Sequence, residues 1–407
     1  MSSRYRAALV HGLQSDGIIR STAVRDAFAR IPREAFIPEI AEEQGIASVY
    51  ADEAYPTKTD SHGDAISSSS QPGIMAAMLE ELRVSPGQNV LEIGAGTGYN
   101  AALLSVLVRR AGRVTSVELE PDVARKASRA IASVGERASV VVADGRAGWR
   151  QRAPYDRIIV TASSLEVPRP FRDQLKEGGL LVIPLRLSDA VPFRQVVVTF
   201  RREGSRLRSV SLIHGGFMRM RARPEDVSLP WPVSEFVETR AGARKVVGSL
   251  SGSTWGAIPA VDRAGLLALL LTKPRSTPIG IRVQGQSQWA LESFLALAVP
   301  EDQLVGCTRA DLEQLLFYAT ALPAVIDTRG PISLAHLAGA RTISRIDGYG
   351  GRRAEALLAR CVAEWRRLGR PDVSRLDVEV TYGSPGSTRT AWRTVRRGRC
   401  LLMFDWR

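Results

Sequence analysis

The chain lacks long hydrophobic runs, and it is poor in cysteine and histidine. No segment of its 407 residues approaches the roughly 20 consecutive apolar positions that a membrane-spanning helix requires. The best candidate, Ala264–Leu271, is bounded by Arg263 and Lys273 and reads as a core helix. Met1–Arg20 has no uninterrupted apolar stretch of the kind that directs secretion. The three cysteines (Cys307, Cys361, Cys400) are widely separated, form no CxxC pair and are accompanied by only four histidines. That argues against a disulfide framework and a structural zinc site, so no metal is expected. The arginine-rich segments also lack interleaved aromatics and any stacking motif, which argues against nucleic acid as a partner. These absences leave a cytoplasmic protein without membrane association as the expectation.

What is present is an ordinary globular composition, 44% hydrophobic and 24% charged, on a length that suits two domains. Short apolar strands at Asn89–Ile93, Arg113–Glu118, Ser139–Ala143, Arg157–Val160 and Leu180–Pro184 alternate with helical patterns such as Gly73–Leu82, Pro121–Val134 and Pro170–Leu175. The alternation predicts an α/β fold: a Rossmann-like, doubly wound, mostly parallel sheet. Phe193–Arg201 and Leu207–His214, around Glu203-Gly204-Ser205, predict an antiparallel hairpin that ends it. Arg221–Pro232, rich in proline and charge, reads as a linker. We therefore expect a first domain over residues 1–222 and a smaller α+β C-terminal domain over 233–407. The clearest element of the second is an amphipathic helix at Arg352–Leu368. Charge is uneven: of a net +13, the stretch Arg341–Arg407 carries 15 arginines against seven acids, a surplus of +8. Such a surplus suits the steering of an acidic partner.

The residues that carry chemistry begin at Val90–Tyr99 (VLEIGAGTGY). An apolar strand runs into a turn with Gly94, Gly96 and Gly98, and a helix follows. A backbone without side chains lets a ligand approach closely, and the helix N-terminus behind it offers free N–H groups. A nicotinamide or flavin site would want GxGxxG spacing. The tighter GxGxG turn, with Glu92 before it, fits S-adenosylmethionine (SAM) instead. Glu118 ends the second strand, placed to accept both ribose hydroxyls, and Asp144-Gly145 ends the third, placed for the adenine amine. These positions lie at the carboxyl edges of successive strands, where open α/β sheets bind ligands.

The chain resembles the protein-L-isoaspartate O-methyltransferase family over roughly residues 20–220. The segments that carry the likeness are VRDAFARIPREAFIPE (24–39), ISSSSQP (66–72), VLEIGAGTGY (90–99), RVTSVELEP (113–121), ADG (143–145), APYDRIIVTAS (153–163) and LKEGGLLVIPL (175–185). Carried over position by position, the resemblance implies that Ser70 is the active-site serine. It implies cofactor contacts at Ser68, Glu92, Gly94, Ala95, Gly96, Gly98, Tyr99, Asn100, Glu118, Leu119, Asp144, Gly145 and Thr161. Acceptor contacts are expected at Tyr55, His62, Ser69 and Gln71. The chemistry suits this set. A carboxylate is already ionised at neutral pH, so methylating it needs alignment and exclusion of water rather than a general base.

Two departures from the family pattern stand out. The stretch TKTDSHGDAISSSS (57–70) is about six residues longer than the usual loop, and Ser68 stands where a threonine is usual. The chain also adds about 180 residues beyond the hairpin. The whole arrangement resembles the methyltransferases that accompany ribosomally made, modified peptides such as lanthipeptides, lasso peptides and graspetides. That likeness implies methylation of one aspartate in an acidic or macrocyclic precursor peptide, leading to aspartimide. The alternative is repair of L-isoaspartyl residues in damaged proteins.

Overall fold

The computed structural model describes residues 2–61, 63, 65–191, 194–223, 235–241, 244–251, 253–311, 322–339, 342–382 and 391–407. His62, one of the expected acceptor contacts, and most of the expected linker lie outside the described residues.

The first half folds as its alternation dictates. β1 (Tyr55–Thr59) and β2 (Ala65–Ser69) pair as an antiparallel hairpin apart from the main sheet. β3 (Asn89–Ile93), β4 (Arg113–Glu118), β5 (Ser139–Val142) and β6 (Tyr155–Val160) follow, then β7 (Leu175–Arg186), β8 (Gln195–Glu203) and β9 (Arg206–His214). β3 pairs in parallel with both β4 and β6, while β7–β8 and β8–β9 are antiparallel. The chain order therefore reverses at β3, which opens a crevice at the carboxyl ends of β3, β4 and β6. Local chemistry sets the helix ends. Ser21 caps the helix Thr22–Arg30 by accepting from the Val24 N–H at 3.2 Å, and proline opens the helices Pro72–Leu82 and Pro121–Ser133. The helix Tyr99–Val108 spreads its apolar residues around its whole circumference, because it is buried between the sheet and its neighbours.

The C-terminal half builds a seven-stranded sheet from β10 (Glu235–Ala241), β11 (Arg244–Ser251), β12 (Arg275–Val283), β13 (Leu304–Asp311), β14 (Leu322–Asp327), β15 (Ser333–Ala338) and β16 (Ile343–Gly350). The helices Gln286–Ala298 and Arg353–Arg367 accompany it. The last three strands behave differently from the expected self-contained unit over 233–407. β17 (Leu376–Tyr382), β18 (Arg393–Arg397) and β19 (Cys400–Trp406) return to the first sheet, where β17 pairs with β9. The result is ten strands in the order β18-β19-β17-β9-β8-β7-β6-β3-β4-β5. One apolar cluster accordingly contains Leu181, Val198 and Phe200 together with Leu291, Phe294, Trp365 and Val378. A mixed α/β sheet with an additional C-terminal sheet domain is the architecture, joined through a shared sheet and core.

Candidate active site

The turn after β3 is held open by backbone geometry. Gly94, Gly96 and Gly98 have φ of +95°, +51° and +89°, values that side-chain-bearing residues rarely adopt. The Thr161 hydroxyl, just past β6, donates to the carbonyls of Ile93 (3.0 Å) and Gly94 (2.8 Å), locking the turn to the neighbouring strand end. A Cβ on Gly94 would lie 2.4 Å from that hydroxyl oxygen, and one on Gly96 would lie 3.1 Å from the Ser68 carbonyl oxygen. The turn thus sits between β6 and the β2 hairpin strand with no room for side chains.

Two buried glutamates flank it. The Glu118 carboxylate accepts from the N–H groups of Gly96 (2.9 Å), Leu119 (2.8 Å) and Glu120 (3.1 Å). Burial nevertheless pushes Glu118 above the ordinary carboxylate range. Glu92 lies beneath the turn, accepting from Asn100 Nδ2 at 2.7 Å and from the Ser116 hydroxyl. It is completely buried, and desolvation pushes its pKa up to about 7.

The rest of the pocket wall is built from serines and a strap. Ser67, Ser68, Ser69 and Ser70 line the pocket together with the glycine turn. Arg33, fully buried, holds this segment: its guanidinium donates to Ser69 Oγ (3.3 Å) and the Ser70 carbonyl (3.1 Å) while also gripping the carbonyls of Val49, Ala51 and Glu53. The strap is Phe217–Arg221, which follows β9 and also lines the pocket. The Gln195 side chain exchanges two hydrogen bonds with the Phe217 backbone, at 2.8 and 3.1 Å. Ser163 pins Met218 and Met220 through backbone bonds of 2.7 and 2.9 Å. Across the mouth, Lys58 of the hairpin reaches Glu120 and Asp122 (2.7 Å each), and Arg221 reaches Glu120 at 2.6 Å. Burial opposes ionisation of Glu120, but the two cations hold it below the usual carboxylate range.

The protein-L-isoaspartate(D-aspartate) O-methyltransferase family model matches residues 4–214, just over half of the chain. The chain belongs to this family. A protein-L-isoaspartate O-methyltransferase of Hyperthermus butylicus is 41% identical over 189 residues, covering 44% of this chain and 74% of that one. One of Roseiflexus sp. is 40% identical over 208 residues, covering 51% and 87%. A solved structure titled protein-L-isoaspartate O-methyltransferase shares the fold over 93% of this chain and 96% of its own, with a TM-score of 0.50 at 24% identity. The two-sheet architecture therefore occurs in a structure of that title.

Membership makes the chain a SAM-dependent methyltransferase, and its residues fit that cofactor. The glycine turn is a cradle that a Cβ would fill, Glu118 presents a buried carboxylate beside it, and Gly145 packs so close to Ile93 that a Cβ would lie 2.4 Å from Ile93 Cγ2. Of the expected cofactor positions, Ser68, Gly94, Ala95, Gly96, Tyr99, Asn100, Glu118, Leu119, Gly145 and Thr161 line one pocket, as does Ser70. Glu92 and Gly98 do not line it; they shape the turn from below and from the helix start. Asp144 also stays off the lining, and its carboxylate is bound by Arg146 at 2.8–3.1 Å. Among the expected acceptor contacts, Ser69 lines the pocket. Tyr55 is buried with its hydroxyl on the Ser48 carbonyl, and Gln71 is bonded to Asp52. Among the described residues, no cluster of His, Cys, Asp and Glu could hold a metal, and no helix is long and apolar enough to cross a membrane.

Sequence reasoning left Arg33, Lys58 and the 217–221 strap without a role. Arg33 had a signal: a cation set among Pro32, Ala35, Phe36, Ile37 and Pro38, with Glu34 as the one other charge in the segment. The strap gave none, because its placement comes from pairing beyond β6.

Two outcomes follow from this geometry. Gly94→Ala combines a positive φ with the 2.4 Å contact to Thr161, a cost of about 2–3 kcal/mol. SAM affinity, measured by calorimetry, should fall roughly 30- to 100-fold, and unchanged affinity would show that the turn relaxes. Glu92→Gln reads the buried carboxyl. Its folded pKa of about 7 lies above the ordinary 4.5, so the folded state keeps a proton that the unfolded chain releases. The penalty is absent below pH 4.5 and grows to about 3 kcal/mol by pH 8. Denaturant titrations should find the variant more stable than wild type at pH 8, with the gap closing toward pH 5.

Proposed function

We propose that the chain methylates the free carboxylate of L-isoaspartyl residues in polypeptides. The observation that carries this reading is the convergence, in one pocket, of the glycine turn with Glu118 and a run of four serines clamped by Arg33. SAM supplies the electrophilic methyl group when bound. The Ser70 hydroxyl orients the acceptor carboxylate by hydrogen bonding, and the hairpin and strap, tied together through Glu120, keep water out. Family membership, with about 40% identity to protein-L-isoaspartate O-methyltransferases, supports this acceptor over others.

A second reading, methylation of one aspartate in a dedicated modified peptide on the way to aspartimide, draws support from the long β1–β2 hairpin beside the pocket. The added sheet does not favour it, since a structure titled as the isoaspartate enzyme carries the same architecture. The deciding experiment incubates the full chain with SAM and matched peptides containing isoaspartate or aspartate, and follows the 14 Da gain by mass spectrometry. Isoaspartate-selective transfer is the expected result; transfer to aspartate in macrocyclic peptides alone would favour the second reading. In the same assay Ser70→Ala should lower kcat about 10- to 50-fold with little change in SAM affinity, as befits one hydrogen bond to a charged group. Full kcat in that variant would remove Ser70 from its role.

A further inference from the structure

Three charged side chains line the pocket among the described residues: Glu118, Arg219 and Arg221. Two have their charge answered within the protein. Glu118 accepts three backbone N–H bonds, and Arg221 is paired with Glu120. Arg219 is different. Its side chain is exposed and has no hydrogen-bond or ion-pair partner among the described residues, although its backbone is fixed by the Ser163 bonds on either side. Arg186, at the end of β7, is a second cation near it and is itself paired with Asp189 at 2.7 Å. A cation on a fixed backbone is thus left without a protein partner beside the pocket, on the β6 side of the sheet. The glycine turn, Glu118 and Gly145 gather on the β3–β4–β5 side.

The reacting carboxylate is a poor partner for this arginine. It loses its charge as the methyl group arrives, so an ion pair to it would stabilise the ground state more than the transition state and oppose the reaction. A carboxylate that is not consumed gains from the same contact throughout. We propose that Arg219 is a specificity residue that selects acceptors carrying a second carboxylate next to the one being methylated. This rests on the carboxyl-methylation reading above and adds the acceptor's chemistry: an acidic side chain or a free chain end beside the modified residue.

Three isoaspartyl peptides test it with the full-length chain. One has glutamate after the isoaspartate and an amidated end. One has glutamine there and an amidated end. The third ends in a free carboxylate directly after the isoaspartate. Wild type should show kcat/KM about fivefold higher for whichever carboxylate-bearing peptide it prefers than for the neutral one, the scale of an exposed charged contact, and the ratio should shrink in high salt. The preferred peptide identifies the source of the second carboxylate. Arg219→Gln should bring the ratio close to one through KM, Arg219→Lys should keep part of it, and both should bind SAM as wild type does. Equal kcat/KM for all three peptides in wild type overturns the proposal, as does a ratio that survives Arg219→Gln. So does a loss of SAM affinity in Arg219→Gln with the ratio intact, which would assign the arginine to the cofactor's carboxylate. Transfer to the neutral peptide alone leaves the isoaspartyl reading standing while this one falls; transfer to none overturns both.

Discussion

Ending the chain at residue 222 should leave a catalytic half that does not fold cooperatively, although the family match stops at residue 214. β9 would lose its partner β17, including the bond from the Val378 N–H to Ser209 Oγ at 2.8 Å. The helix Gln286–Ala298, with Leu291, Phe294 and Leu295 fully buried, would no longer cover the cluster that holds Val198 and Phe200. Uncovering a handful of such side chains costs about 10 kcal/mol, comparable to the entire stability of an ordinary domain. Two polar links would break as well. Arg194, buried and stacked on Trp289 with its guanidinium 4.6 Å from the ring centroid, would lose Glu292, and His214 would lose Asp372. A buried cation stripped of its partner costs several kcal/mol. These links bear on catalysis because Arg194 precedes Gln195, whose side chain sets the Phe217 backbone in the pocket wall. Circular dichroism melts and methylation assays of residues 1–222 check this. A cooperative melt with full-chain kcat on isoaspartyl peptides would show that the second half is dispensable.

How much of this was legible in the sequence follows the range of the forces involved. β3 and β4 lie on the predicted residues, and the helix at Arg352–Leu368 appears as Arg353–Arg367, because period and caps act within a few residues. The β1–β2 hairpin read as a polar loop, since TKTDSHGDAISSSS has no apolar alternation; its strands pair through the backbone, and the residues buried on β2 are Ser67 and Ser69 rather than apolar ones. β17 and β19 carry apolar strand patterns of their own, but nothing within them says that they join the first sheet. Which edge accepts a strand depends on residues some 170 positions away, such as Arg208 opposite Glu379, and no local pattern encodes that choice. The glycine turn was legible because it demands positive φ at fixed spacing. Arg33 was visible as part of a motif, but its burial was not, because burying a guanidinium requires five acceptors brought from residues 49 to 70.

That burial gives the second large effect. Arg33→Leu should destabilise the chain by about 4 kcal/mol and reduce kcat of the folded enzyme about 100-fold. Arg33 Nη1 donates to the Val49 and Ala51 carbonyls at 2.9 and 3.1 Å, and Nη2 donates to the Glu53 carbonyl at 2.9 Å as well as to the serine segment. Its guanidinium also lies 5.6 Å from the Tyr55 ring centroid. Burial draws its pKa below the ordinary arginine value, yet the group stays charged, so these carbonyls are organised around a cation. Leucine fills part of the volume but leaves the buried acceptors unpaired, each at a cost of about 1 kcal/mol or more. Because two of the bonds fix Ser69 and Ser70, relaxation of that segment misplaces the hydroxyl expected to orient the acceptor, and an error near 1 Å is enough for a roughly 100-fold loss. Arg33→Lys separates packing from positioning: it restores the charge but not the planar fork of five donors, so stability should recover more than kcat. Denaturant titration and single-turnover rates on the folded fraction provide the two readings. A folded Arg33→Leu enzyme with wild-type kcat would mean that the serine segment holds its place without the arginine.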